Sequence, residues 1–536
     1  MRSALRVLPS LRLSASLFLL PLFLALLSSA PAQEKPAPKI TITELASPAG
    51  PGALGAALTT AADGTHWLTW VEAAPENLAA AAKKKSSAHQ HGAAPADAAA
   101  PATPPDTLRF STFSPATRTW SPARTIVQRP DIPLSSADFP QLVLDGRGTA
   151  LALWVDGHGG ALVTSSTDRG ATWSPPVPWT RASDSVEKFA FVRLADGRVL
   201  AAWLDSRAKK SGPATTPQQL FARLVDPATL TAPASADVLV DPSVCDCCQT
   251  TLTAFPDGGA LLAYRGRTPE EVRDIRTARF RGKSWDEPRP LNNDDWRIAA
   301  CPINGPRLAS EGGRVAAAWF TAADNDPRVL ASYSPDAGTR FLLPLRLDNG
   351  KPAGHVDTVI LRDTAFLTTW IENDGSLWLR RVTPDFSADD PVALAPAGAL
   401  SPKTNPRVVL LRDYTGGTAS AELLVTFATA TTLRTQLVTI PEGDLLVTGK
   451  NCDCAPTPEQ LMGYAIRGAV AATSTERGTV HVVHDELPGL LFAGTHEFRA
   501  EPSVLAAVKL GRRLFGRIEQ RAGTWWLYDV RLAQNP

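Results

Sequence analysis

One hairpin phrase repeated along the chain, tight turns of Asp-Gly type inside the copies, and almost no long apolar stretch of 3.6-residue period together predict an all-β fold. A four-stranded antiparallel unit recurring at this spacing is the signature of a β-propeller. Each copy is a short apolar strand, a turn, then a strand that ends in an aromatic residue and usually an acid. The copies read LTTAADGTHWLTWVE to Glu72, QLVLDGRGTALALWVD to Asp156, VRLADGRVLAAWLD to Asp205 and TAFPDGGALLAYRG around Tyr264. Looser ones follow at Trp319, Trp370 and Phe427, and GAVAATSTERGTVHVVHD, ending at Asp485, is an eighth and weaker copy. The expectation is therefore seven units with an eighth, a six-bladed ring being the alternative.

Asp63-Gly64, Asp145-Gly146, Asp196-Gly197 and Asp257-Gly258 supply the positive φ that a tight hairpin needs. In most copies two more strands follow, such as ALVTSST and TWSPPVPWT, which completes a blade. From Trp154 to Phe427 the aromatic returns every 49 to 61 residues, and the longer first interval contains an insertion. That insertion, 76–106, is low in complexity and reads as disordered, interrupting the first unit between its second and third strands. Ile40-Thr41-Ile42-Thr43 stands alone before the first unit and is expected to serve as the outer strand of the last, joining the two ends of the ring. The propeller is assigned to 33–502, with a closing hairpin in 503–536.

The N-terminus has the order of a secretory signal: Arg2, Arg6 and Arg12, an apolar run from Leu17 to Leu27, then Ala30-Pro31-Ala32 before Gln33. Residues 1–32 are read as that signal and the mature chain as exported, periplasmic or secreted, with no membrane span. With 54 basic and 53 acidic residues the net charge is +1, which argues against nucleic acid as a partner.

Between the third and fourth strands of the second unit lies Ser166-Thr167-Asp168-Arg169-Gly170-Ala171-Thr172-Trp173, of the form S-x-D-x-G-x-T-W. Ser334–Thr339, Ser114–Trp120 and the stretch around Trp285 are degenerate copies at the same place. Here the chain resembles the sialidase (BNR/Asp-box repeat) superfamily over most of 38–490. In that superfamily the box is a structural turn, so Ser166, Asp168, Gly170, Thr172 and Trp173 are assigned a structural role. The resemblance also implies an arginine triad, an Asp acid/base and a Tyr–Glu pair. Arg207, Arg265 and Arg267 are candidate ligand clamps, with Asp205 and Asp156 as candidate acids. Arg297, Arg307 and Arg407 lie near segments that lead into blades, and Asp138, Glu271 and Asp324 are further acids. The superfamily's (F/Y)-R-I-P motif is missing, the nearest text being VQRPDIP at 127–133, and none of the five tyrosines pairs with a Glu at the mouth. The resemblance thus implies the fold without the sialidase reaction.

The loops leading into the inner strands share one face of the ring with the loops after the second strands, and that mouth is the default site. All six cysteines fall in such loops: Cys245, Cys247 and Cys248 before the fourth unit, Cys301 before the fifth, Cys452 and Cys454 before the eighth. His355 leads into the sixth unit, His484 follows a second strand, and Asn304 lies beside Cys301 as a ligand-binding candidate. A soft-ligand copper or zinc site is one reading. Disulfides are the other, and C-x-C and C-C spacings in an exported protein favour them. His89 and His91 in the insertion read as solvated loop residues. The function expected is ligand or metal binding at a Cys-rich mouth, the ligand being a small molecule, a glycan or a protein. The alternatives are a sialidase-type glycoside hydrolase and a disulfide-stabilised interaction scaffold.

Overall fold

The computed structural model describes residues 40–77, 104–441 and 464–532, apart from 134, 136–137, 146–147, 181–184, 211, 214–215, 228–236, 362–364, 383–387, 402–403, 414–419, 430–431, 485–490 and 522–523. The signal segment, the two histidines of the insertion, Cys452 and Cys454 lie outside the described residues.

Seven antiparallel blades form a β-propeller. Their inner strands are Ala53–Thr60, Gln141–Leu144, Val186–Arg193, Thr251–Ala254, Arg307–Glu311, Pro352–Ile360 and Arg407–Arg412. Each packs against the next, and the seventh against the first, so the ring is closed. The closing device is the expected one: Thr41–Leu45 pairs antiparallel with Leu433–Pro441 as the fourth strand of blade 7, with Thr41 opposite Thr439 and Leu45 opposite Thr435. In blade 1 the insertion separates His66–Glu72 from Asp106–Ser114, the second and third strands, and the outer edge is shared by Thr119–Trp120 and Arg124–Arg129.

The repeated aromatic has a definite task. Trp70, Trp203, Tyr264, Trp319, Trp370 and Phe427 are each fully buried on the second strand of a blade. Strand residues two apart share a face, so an acid two positions on can receive the indole N–H. Trp203 donates to Asp205 at 3.1 Å and Trp370 to Glu372 at 2.8 Å. That explains why the phrase ends in an aromatic and an acid. Burying an indole costs less when its one polar atom is satisfied.

The Asp-box turn is self-contained. Asp168 accepts from the Thr172 amide at 2.8 Å and the Thr172 hydroxyl at 2.6 Å, and Ser166 donates to it at 2.7 Å. These bonds, the Thr172 hydroxyl foremost, hold the Asp168 carboxyl down at about 2. Gly170 has φ 75°, and a Cβ there would lie 2.7 Å from Phe110 of blade 1. Trp173 meets the same Phe110 edge-on at 6.0 Å. The box of one blade therefore wedges against the preceding blade. The copy at Ser114–Trp120 does the same, because Trp120 donates to Thr435 of blade 7 at 3.1 Å.

The eighth unit is not a blade. Tyr464–Ser474 and Thr479–His484 join Gly494–Ala500, Thr524–Leu532 and Arg513–Arg521 in a closed five-stranded barrel. Its core holds Val480, Phe498, Leu514, Ile518 and Leu527. The expected boundary at 502/503 falls inside this barrel. Two physical reasons apply: the ring is already complete once Thr41–Leu45 is seated, and the eighth phrase lacks an aromatic at the end of its second strand. Arg467 and Arg513 pair with Asp295 in the segment before blade 5, which ties the barrel to the ring.

Candidate functional site

The last residues of blade 3's outer strand zip onto the end of blade 4's second strand. Ser243 donates its hydroxyl to the Arg267 carbonyl at 2.6 Å, and the Cys245 amide donates to the Arg265 carbonyl at 3.0 Å. The chain then turns sharply through Asp246, whose carboxylate accepts the Gln218 amide at 2.9 Å and pairs with Lys209 at 3.1 Å and Arg267 at 3.3 Å. This anchoring folds three thiols inward. Cys245 and Cys248 are buried, Cys247 is partly so, and the three sulfurs lie within 4.8 Å of one another. Cys245 Sγ is 3.5 Å from Cys248 Sγ and 3.9 Å from Cys247 Sγ. A disulfide requires about 2.05 Å, and the four described cysteines are all free thiols.

Cations surround the sulfurs. Arg273 Nη1 lies 3.4 Å from Cys245 Sγ and donates to the Ala300 carbonyl at 2.9 Å, so one guanidinium joins the thiol loop to the residue before Cys301. Glu271 orients it at 2.7 Å and takes Arg267 at 2.6 Å. Hydrogen bonding with Cys247 and Cys248, with the Arg265 charge nearby, drives the Cys245 thiol far below its usual range. Burial pushes Cys248 up to about 12, and the bond with Cys245 pushes Cys247 up.

Cys301 is exposed and is not part of the three-thiol group. Its loop closes on the thiol loop nonetheless: Gly305 donates to Gln249 Oε1 at 3.1 Å. A side chain at Gly305 would run into the Gln249 carbonyl, so only glycine permits the approach. Asn304 is buried and spans two blades, accepting the His355 amide at 2.7 Å and donating to the Ala353 carbonyl at 3.0 Å. His355 itself sits within the inner strand of blade 6, buried, with Nδ1 3.3 Å from Asn405 Oδ1. His484 is on the barrel, its Nε2 2.9 Å from His496 Nδ1. Neither histidine joins the thiols.

The candidate clamps are engaged by the protein itself. Arg265 is buried and donates to the carbonyls of Arg273, Asn304 and Phe320 at 2.7–2.9 Å, with its guanidinium 4.8 Å from the Trp296 ring. Arg207 pairs with Asp205 at 2.6 Å and Asp237 at 2.9 Å. Asp156 caps its own turn by accepting the amides of His158 and Gly160, each at 2.8 Å. Among the other sequence candidates, Asp138 holds Lys188 at 2.7 Å, Arg297 meets Asp295 at 3.3 Å, and Asp324 sits in a left-handed turn with φ 58°. Arg273 and Asp246, which organise the thiols, escaped the sequence reading. The available signal was the run of alternating charge Arg267…Glu271-x-Arg273 directly after a second strand.

No protein-family model and no curated protein matches this sequence. Solved structures that resemble it are sialidase-like and related propellers. The BP39L lectin from Burkholderia pseudomallei is 10% identical with a TM-score of 0.46, covering 71% of this chain and 96% of that one. The Hadza microbial sialidase Hz136 is 14% identical with a TM-score of 0.37, covering 60% and 63%. The α-L-arabinanase of Penicillium chrysogenum, complexed with arabinobiose, is 10% identical with a TM-score of 0.37, covering 74% and 98%. No helix among the described residues is long and apolar enough to cross a membrane.

Proposed function

We propose that this chain is an exported propeller that binds a soft metal ion, copper(I) or zinc, through Cys245, Cys247 and Cys248. The observation that carries the reading is the sulfur spacing. With metal–sulfur bonds of about 2.3 Å, sulfurs around a trigonal or tetrahedral ion lie roughly 3.8–4.0 Å apart. The 3.9 Å separation falls within that range and the 3.5 Å one lies just below it, without any bonded pair. Thiolate donors select copper(I) and zinc over harder ions. Three sulfurs suit a three-coordinate copper(I), and would leave zinc one position for an outside ligand, which is where a small molecule would meet the protein. Arg273 and Arg265 offset the negative charge of the thiolates, and the anchoring of Asp246 holds the loop in shape for them. The engagement of Arg207, Arg265 and Arg267 by protein groups supports binding rather than glycoside hydrolysis.

The test is metal analysis with thiol counting on the purified full chain, reduced and then loaded with copper(I) or zinc. One metal per chain, lost in Cys245→Ser and Cys248→Ser, is expected. Wild-type protein that binds neither ion while Cys245, Cys247 and Cys248 titrate as free thiols would overturn the reading. So would a disulfide within this trio in protein recovered after export, which would favour the scaffold alternative.

A further inference from the structure

The central channel carries a feature that the thiol site does not use. A cavity of about 540 Å³ is lined by inner strands of blades 1, 2, 4, 5, 6 and 7. Two arginines reach it from the starts of their strands, Arg307 of blade 5 and Arg407 of blade 7. Arg407 is 4% exposed. Its Nη1 donates to the Pro406 carbonyl at 2.8 Å, while its Nη2 is buried without a hydrogen-bond partner. Among the described residues, the carboxylate paired with this end is Asp357, 3.7 Å from Arg307 Nε, and its second oxygen is occupied by the Val408 amide at 2.9 Å. Glu311 lines the same cavity at the far end of the blade 5 strand. Phe139, from the segment leading into blade 2, lies under both guanidiniums, 4.1 Å from Arg407 and 5.5 Å from Arg307. Burial pulls both arginines below their ordinary range, and Arg407 further through the charge of Arg307.

One buried guanidinium, a second that is partly buried, one carboxylate and one orphan N–H leave an excess positive charge at this end of the cavity. An unpaired buried donor is costly, and more so when charged. Planar guanidinium forks match the paired oxygens of an oxyanion better than any other common partner. We propose that Arg307 and Arg407 bind a small oxyanion, carboxylate, sulfate or phosphate in class, inside the channel. Phe139 covers the pair from the side of the blade 2 loop. The cavity continues along the strands to Thr60, Glu311, Ile360 and Leu410 at their other ends, so the anion would enter from the Asp-box face. This site is independent of the metal reading.

Thermal melts of the full chain in sodium acetate, sulfate and phosphate, against sodium chloride of equal ionic strength, test it. A saturable rise in melting temperature at millimolar anion is expected, and the anion that gives it identifies the source. Arg407→Gln and Arg307→Gln should each weaken the apparent affinity roughly 10- to 100-fold. Asp357→Asn keeps an acceptor for the Val408 amide while removing the competing charge, and should tighten binding several-fold. No saturable shift in the wild type, or an equal one in both arginine variants, would overturn the proposal. Should the arginine variants not fold, an Asp357→Asn protein that binds no more tightly than wild type would overturn it as well.

Discussion

Two short loops on opposite faces of the ring show how a repeat becomes a site. The Asp-box turn at 166–173 is polar, yet its groups are consumed internally: Asp168 is matched to Thr172 and Ser166, and Gly170 and Trp173 to Phe110. The 245–248 loop is shorter and its backbone is equally well anchored, but its three sulfurs face one another unbonded, with Arg273 alongside Cys245. A turn whose donors and acceptors close on themselves can only hold shape. A turn whose anchors are all backbone and Asp246 leaves its remaining side chains available for a ligand.

That contrast is open to four tests, from the largest effect to the smallest. Replacing Cys245 by Ser removes the central sulfur, and metal affinity should fall about 100-fold or more with little change in melting temperature, since the loop's anchors are untouched. Equilibrium dialysis against a competing chelator measures it, and an unchanged affinity would erase the distinction between the loops. Gly170→Ala acts on the other face. Its Cβ meets Phe110, and we expect a loss of about 1–3 kcal/mol in urea unfolding with metal content unaltered. Arg273→Met keeps the bulk and deletes the charge beside Cys245. Metal affinity should drop roughly tenfold, as for other groups that support a ligand without touching the metal. Thiol reactivity should also shift to higher pH, because the guanidinium that favours the Cys245 thiolate is gone.

The smallest effect concerns pH. Burial pushes the Asp294 carboxyl, which accepts the Trp319 indole N–H at 2.8 Å, up to about 6. A carboxyl raised in the folded state binds its proton more tightly there than in the unfolded chain. Its contribution is present below pH 4 and is lost as pH rises through about 6. Asp168, held at about 2, works in the opposite sense and gives up its contribution only as pH falls below 4 toward that value. Unfolding midpoints between pH 4 and 7 should therefore decline less with rising pH in Asp294→Asn than in wild type.

Much of the fold was legible because it repeats. The aromatic-plus-acid ending, the Asp-Gly turns and the single complete Asp box are local signals, and each blade restates them. The closing strand was legible too, since a lone β-branched stretch before the first unit has nowhere else to pair. The eighth unit misled because a hairpin pattern says nothing about whether its neighbours are blades or a barrel. At the site, the sequence pointed to the thiols by clustering. It could not separate Cys245, Cys247 and Cys248 from His355 and His484, because distance across the ring depends on blade number and on how the chain leaves the last blade. Arg265 looked like a clamp because it follows Tyr264 at a strand end, and only the positions of three carbonyls reveal it as a brace.

The strand at Thr41–Leu45 has one more implication. It is among the first segments of the ring to be synthesised, and its partner lies some 390 residues later, with Glu44 and Arg434 paired at 2.7 Å. A contact of that separation is slow to form. Until blade 7 exists, the opening strand has no edge to join and blade 1 has no left-hand neighbour. The circle is thus a clasp whose two halves lie some 390 residues apart in the chain, and a nascent chain cut anywhere before residue 433 would be left as an open, sticky arc.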